Sequence, residues 1–179
     1  MSSLTIQLRP AHATDAAAIA TLHAASWRHA YRGALSDEYL AGDIETDRLT
    51  LWTHRLAVPG AQQIVLVAES AVQLHGFACA RLEDDIHWGT LLDNIHVLQT
   101  MHRTGIGSQL LRTVACHSVT ANPDQGMYLW VLQNNLKAQE FYRYHGAKQV
   151  GTDIWAAPGG TQVPRFRFAW SAGQLPTHM

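Results

Sequence analysis

Residues 92–111, reading LDNIHVLQTMHRTGIGSQLL, constrain the fold of this chain more than any other stretch. An apolar run at 95–98 passes through a short polar connection into Gly105-Ile106-Gly107, and Ser108-Gln109-Leu110-Leu111 then opens a helix. The first amides of a helix have no partner within it. Two glycines remove the side-chain bulk beside them, so a strand–glycine loop–helix unit offers a receptacle for a pyrophosphate. The ligand expected here carries a nucleotide.

The remaining composition narrows the class. A chain of 179 residues with 47% hydrophobic and 15% charged residues has room for one domain with a sizeable core and little more. A formal net charge of −1 and the absence of a basic run remove the electrostatic driver for nucleic acid or an anionic membrane, so neither is expected as a partner. A small basic patch around Arg103 and Arg112 would suffice for a phosphate-bearing small molecule. Cys79 and Cys116 lie in apolar contexts without ligand spacing, as small core residues of a reducing compartment do. No signal segment or bilayer-spanning run is evident, which makes a cytoplasmic location the expectation. The 11 histidines are scattered, and no metal is expected.

Periodicity orders the elements. Residues 4–9 alternate like a half-buried strand, and Pro10 stops them. Thr14 or Asp15 can cap a helix with Ile19, Leu22, His23, Ser26 and Trp27 at helical spacing. Gly33 breaks that helix, a short one restarts at Ser36-Asp37-Glu38, and another covers about 45–57. Strands follow at 63–69 and 72–82, turning near Ser70-Ala71, with Glu83-Asp84-Asp85 as a polar turn before a strand at 91–98. The helix from Gly105 buries Ile106, Leu110, Leu111 and Val114. A continuously apolar strand at 127–132, a helix at 135–145 ended by Gly146, and antiparallel strands at 150–155 and 163–170 complete the order. The pattern β-α-α-α-β-β-β-α-β-α-β-β implies one α+β domain over residues 1–170, with 171–179 as a frayed tail.

Two familiar nucleotide motifs fail on residues. The dinucleotide fingerprint needs a small residue where Leu110 stands, and no Gly-Lys-Ser/Thr follows as a phosphate-binding P-loop requires. The 92–111 segment instead resembles the central motif of the GNAT superfamily of acyl-CoA-dependent N-acetyltransferases, Gln/Arg-x-x-Gly-x-Gly/Ala. A second block at 129–151, LWVLQNNLKAQEFYRYHGAKQVG, is similar to the family's next strand and helix through Asn135, Ala138, Phe141, Tyr142, Gly146 and Ala147. The opening Ile6-Gln7-Leu8-Arg9-Pro10-Ala11 with Asp15 resembles the family's first strand and helix.

The resemblance implies a mixed, mostly antiparallel twisted sheet flanked by helices, with the fourth and fifth strands splayed to admit a pantetheine arm. It implies acetyl-CoA as co-substrate and a small-molecule or peptide amine as acceptor, in a direct ternary-complex transfer. Homodimers, common among relatives, are an expectation of the same kind. Cofactor contacts fall to Ile95, His96 and Val97 on the strand, to His102, Arg103, Thr104, Gly105, Ile106, Gly107 and Ser108 at the loop and helix start, and to Asn135 and Tyr142. One departure is His102 at the family's Gln/Arg position, with Arg103 next to it; Thr104 is the residue that could cap the helix. A backbone N–H at a bulge around His96 or Val97 would stabilise the oxyanion, and Tyr142 would protonate the thiolate.

Each assignment has a plainer competitor. Ala138, Phe141 and Tyr142 form an i, i+3, i+4 stripe that core packing alone would explain. Asn135 can be only a helix cap. Asp93 and His96 are the candidate bases, yet regular alternation would point them to opposite faces. Trp27, Tyr31 and Arg32 form a candidate acceptor wall, or else a lid over the sheet. Asp43, Glu45 and Asp47 could attract a cationic amine, or merely start a helix. A catalytically silent acyl-CoA-binding regulatory or sensing module of the same fold is the alternative function.

Overall fold

The computed structural model describes residues 5–42 and 44–178, so Leu4 of the expected first strand and Asp43 of the acidic group lie outside the described residues. The chain runs β1 (Gln7–Pro10), α1 (Ala16–Ala30), α2 (Asp37–Ala41), α3 (Ile44–Ala57), β2 (Gln63–Glu69), β3 (Leu74–Asp85), β4 (Gly89–Val97), α4 (Ile106–Ala121), β5 (Met127–Leu132), α5 (Leu136–Tyr144), β6 (Lys148–Ala156) and β7 (Gln162–Trp170). One seven-stranded sheet has the order β1-β2-β3-β4-β5-β7-β6. Only β4 and β5 pair in parallel; the other neighbours are antiparallel. This is the mixed, helix-flanked α+β sheet that the sequence pattern implies.

Two apolar faces hold the layers together. On one, α4 sets Ile106, Leu110, Leu111, Val114 and Ala115 against Ala78, Ala80 and Leu92 of the sheet. The i, i+4, i+5, i+8, i+9 spacing keeps these side chains on a single helical stripe. Leu110 and Leu111 are fully buried, each contributing about 1.5–3 kcal/mol of hydrophobic stabilisation. A side chain at Gly76 would meet His96 O at 3.0 Å and Ile106 at 3.2 Å, so its absence lets α4 sit directly on β3. On the other face, α1 and α3 bury Ile19, Leu22 and Trp52 against Val65, Val67, Phe77 and Cys79.

Several local expectations change. Asp15 occupies the cap position before α1 without bonding the helix. Its carboxylate accepts from Arg9 and from the His12 amide, because Arg9 ties β1 to both Asp15 and Glu69. Glu83-Asp84-Asp85 ends β3 rather than forming the turn; Asp85 Oδ1 accepts from the His87 and Trp88 amides and so shapes the turn that follows. The tail is not frayed at its centre, since Leu175 is buried against the α4-side core. A large apolar side chain supplies enough transfer free energy to hold a short segment down.

Candidate active site

The loop between β4 and α4 has the backbone of an anion receptacle. Gly105 takes φ 89° and Arg103 φ 64°, two left-handed positions in three residues. Among the described residues, none of the peptide N–H groups of 103–108 has a hydrogen-bond partner. Alternating handedness turns successive amides toward one concavity, and the α4 dipole adds positive potential there. Thr104 is not the cap: its hydroxyl donates to Met101 O at 2.7 Å, and Gly105 holds the cap position. His102 is tied back to Val97 O through Nε2 at 3.1 Å, which anchors the loop to the end of β4. Ile106 is a core residue, and Ser108 Oγ engages His145 Nε2 at 3.0 Å. A methyl group at Gly107 would lie 3.6 Å from the Phe141 ring and 3.8 Å from Val97, so α4, β4 and α5 come together at this residue.

Beside this loop the sheet opens. β4 and β5 pair only at Thr90↔Met127 and Leu91↔Tyr128, and from there the strands part around a cavity of about 660 Å³. Trp27, Tyr31, Asp93, Ile95, His96, Asn135 and Tyr142 all line it. Arg32 does not; it is exposed beyond the end of α1. Glu45 pairs with Arg28, and the Asp47 carboxylate accepts from Tyr39 and Arg48, so these two acids are committed within the protein.

A bulge lies in β4, but at Asp93 rather than around His96 or Val97. Cys79 pairs with Asn94 and Ala80 with Leu92, leaving Asp93 as the extra residue. One inserted residue inverts the alternation on one side of it. Asp93 therefore reaches the α1–α3 face, where His96 also sits opposite Phe77, and the opposite-face expectation fails for that reason. Asp93 Oδ2 accepts from Arg55 Nη1 at 2.7 Å and from Asn94 Nδ2 at 2.9 Å. Its other oxygen has no protein partner among the described residues.

Burial sets the proton affinities. Enclosure lowers His96 to about 4, with nearby Arg48 acting in the same direction, so its ring is neutral at pH 7. It stacks 4.7 Å from His23, whose Nδ1 accepts from Trp52 Nε1. Tryptophan only donates, which assigns the His23 proton to Nε2, and that atom is buried without a partner. Tyr142 is 9% exposed, and burial holds its hydroxyl well above the usual tyrosine range. That hydroxyl is protonated at neutral pH and has no hydrogen-bond partner among the described residues. Burial, and then Asp93, push Tyr31 up to about 12. Asn135 caps α5 by accepting from Ala138 N at 3.2 Å while its side chain still lines the cavity.

Arg48, Arg55, Trp130, Trp155 and Arg165 also line the cavity and were not singled out by motif. A signal for Arg48 exists in α3. Ile44, Arg48 and Trp52 recur at i, i+4, i+8, and all are buried. An arginine inside an apolar stripe is a residue that packing alone does not explain.

Comparison with known proteins agrees with this geometry. A family model described as an acetyltransferase (GNAT) domain matches residues 61–146, which holds both the glycine loop and Tyr142. The chain is 28% identical over 177 residues to a probable N-acetyltransferase of Mycobacterium tuberculosis, covering 92% of each chain. A GCN5-related N-acetyltransferase from Rhodopseudomonas palustris superposes with TM-score 0.74 at 20% identity, over 96% of this chain and 98% of the other. PaiA N-acetyltransferase from Thermoplasma acidophilum, in complex with coenzyme A, gives 0.68 at 19% identity over 90% and 98%. Arabidopsis thaliana NAA60, in complex with a bisubstrate analogue, gives 0.62 at 18% identity over 95% and 99%. A parted parallel strand pair beside a glycine-loop helix is thus the architecture of an acyltransferase. Family model, curated relative and fold neighbours together support the GNAT superfamily as the chain's family.

Proposed function

We propose that the chain transfers the acetyl group of acetyl-CoA to the primary amine of a small-molecule or peptide acceptor, directly within a ternary complex. The observation that carries this reading is the run of unpartnered amides at 103–108 beside a strand gap that contains Tyr142. The donor set fits the cofactor: backbone amides and a helix terminus suit a pyrophosphate, and an open strand edge suits an amide-bearing pantetheine arm. Among structures of this fold, one holds coenzyme A and another a bisubstrate analogue, which supports both the ligand and direct transfer.

Acetyl-CoA supplies an activated thioester carbonyl, and the protein's groups do the rest. The amides of 103–108 hold the diphosphate, with Gly105 and Gly107 keeping side chains away. His102 contributes by fastening the loop to Val97 rather than by charge. Beyond Leu91, β4 has no partner on its β5 side, so peptide N–H groups on that edge polarise the carbonyl oxygen. Asn135 spends its carbonyl on the α5 cap and keeps its amide donors for the pantetheine arm. Asp93, with one uncommitted oxygen at the bulge, receives the ammonium proton through water, and neutral His96 orders that water. Tyr142 donates to the departing sulfur, a role suited to a hydroxyl that burial keeps protonated.

Calorimetric titration with acetyl-CoA and a thiol-release assay over a diverse amine panel test the reading. Absence of acetyl-CoA binding at millimolar concentration would overturn it. Tyr142→Phe should slow turnover about 100-fold or more while cofactor affinity stays within about threefold, because only a hydroxyl without a protein partner is removed. Unchanged turnover removes the acid role.

A further inference from the structure

The charges on the cavity wall do not balance. Arg48, Arg55 and Arg165 line the cavity, whereas Asp93 is the one acidic residue that does. Arg55 is paired with Asp93 at 2.7 Å. Arg165 meets Asp153 at 2.6 Å and Arg48 meets Asp47 at 2.8 Å, but neither of those acids lines the cavity. Arg48 and Arg165 therefore face the cavity with their counter-ions set outside it, whereas Arg55 is neutralised within it.

Arg48 is the most demanding of the three. It is 8% exposed and lies 4.4 Å over the Trp27 ring, and among the described residues Nη2 makes its only ion pair. Its Nε–H is buried and has no acceptor among the described residues. A guanidinium carries five donors in a planar fork and never deprotonates, so a buried one short of acceptors is stabilised by a bound anion. The Trp27 ring beneath it meets His23 at 4.9 Å, and His23 meets His96 at 4.7 Å, so Arg48 stands on the side of the cavity that carries His96 and Asp93, where the proposed reaction brings the acceptor amine. The adjoining walls are flat and apolar: Trp27 stacks with Tyr31 at 5.0 Å and meets Trp155 at 5.9 Å.

We infer that the acceptor is a small aminocarboxylate, an amine whose own carboxylate is held by Arg48 while its apolar body rests on Trp27, Tyr31 and Trp155. The claim rests on the acetyltransfer reading above and specifies its acceptor. The same wall disfavours polyamines, whose extra ammonium groups would face Arg48 and Arg165. Arg165, stacked 4.3 Å over Trp130 on the opposite wall, adds positive potential without making the primary contact.

The test uses the full chain saturated with coenzyme A and measures acceptor binding by calorimetry, independent of turnover. Probes are leucine, methionine, phenylalanine and tryptophan, each with its carboxamide and its decarboxylated amine, together with spermidine. At least one amino acid should bind about tenfold or more tighter than its two matched partners. Arg48→Gln should erase that difference and Arg48→Lys restore part of it, with coenzyme A affinity confirming that each variant is folded. Arg165→Gln, at a partly exposed position, should weaken amino acid binding severalfold and leave the carboxamides unchanged. Equal or tighter binding of the decarboxylated amines or spermidine overturns the inference, as does failure of every probe to bind while coenzyme A binds. Loss of coenzyme A binding by the wild-type chain is a different failure, that of the acetyltransfer reading itself.

Discussion

Replacing Gly105 with alanine separates the two contributions of the α4 cap. The new methyl group meets nothing closer than Gln109 Nε2 at 4.0 Å, so no steric clash arises and the cost is conformational. At φ 89° an L-residue loses about 1–2 kcal/mol relative to glycine. For a domain of this length that is a fall in melting temperature of about 2–8 °C. The neighbouring bonds Gln109 N to Gly105 O and His102 N to Gln99 O resist relaxation. Whatever relaxation does occur rotates the 105–106 peptide away from the concavity. Loss of one amide–phosphate hydrogen bond is worth about 1.5–3 kcal/mol, or about tenfold to hundredfold in affinity. Gly107→Ala is the control. That residue lies in the helix, and its methyl would rest in ordinary contact with Phe141, so the propensity gain of up to about 1 kcal/mol should raise or preserve the melting temperature. Thermal denaturation with and without coenzyme A, together with calorimetric titration, reads both quantities. A Gly105→Ala protein as stable as wild type and binding coenzyme A equally well would refute the strain argument and the placement of the diphosphate together.

Two further expectations rest on burial. His96 is held near 4 in the folded protein against an ordinary 6.5, so the unfolded chain binds the extra proton between those values. Stability is complete above about pH 6.5 and falls as pH drops toward 4, by at most about 3 kcal/mol from this residue; buried His23 acts in the same direction. Urea titrations across pH 4–7 should show this slope, reduced in His96→Phe, and an unreduced slope would remove His96 as its source. Leu175→Ala should cost about 2 kcal/mol and lower the melting temperature by about 4–8 °C, whereas a change below about 1 °C would show that the tail contributes nothing.

Much of the fold was legible because its signals are local. Strands and helices followed from periodicity, and the parting of β4 and β5 followed from the family resemblance carried by the 92–111 and 129–151 blocks. The cap of α4 was misassigned to Thr104 because a polar residue before a helix reads as a cap, whereas here the turn to positive φ at Gly105 dictates the position. The bulge was misplaced because an inserted residue leaves no mark in strand periodicity until the partner's register is known. Asp15 read as a cap because its competitor, Arg9, acquires it only when β1 folds beside the turn. Among site residues, those within contiguous motifs were visible. Arg48, Arg55 and Arg165 come from α3 and β7, and their convergence on one cavity is a tertiary fact.

The brevity of the β4–β5 pairing has a mechanical corollary. Only two residue couples and the Thr90 N–H bond to Gly126 O join these strands, all near the closed end, where a side chain at Gly89 would run into the Gly126 backbone and one at Gly126 into Trp170 O. The molecule resembles a clothes-peg whose spring is that glycine junction: its jaws, β1–β4 and β5–β7, share no rung of the ladder beyond it. Tolerance for acyl groups bulkier than acetyl is then governed by side-chain packing at the jaws, and stiffness by the junction.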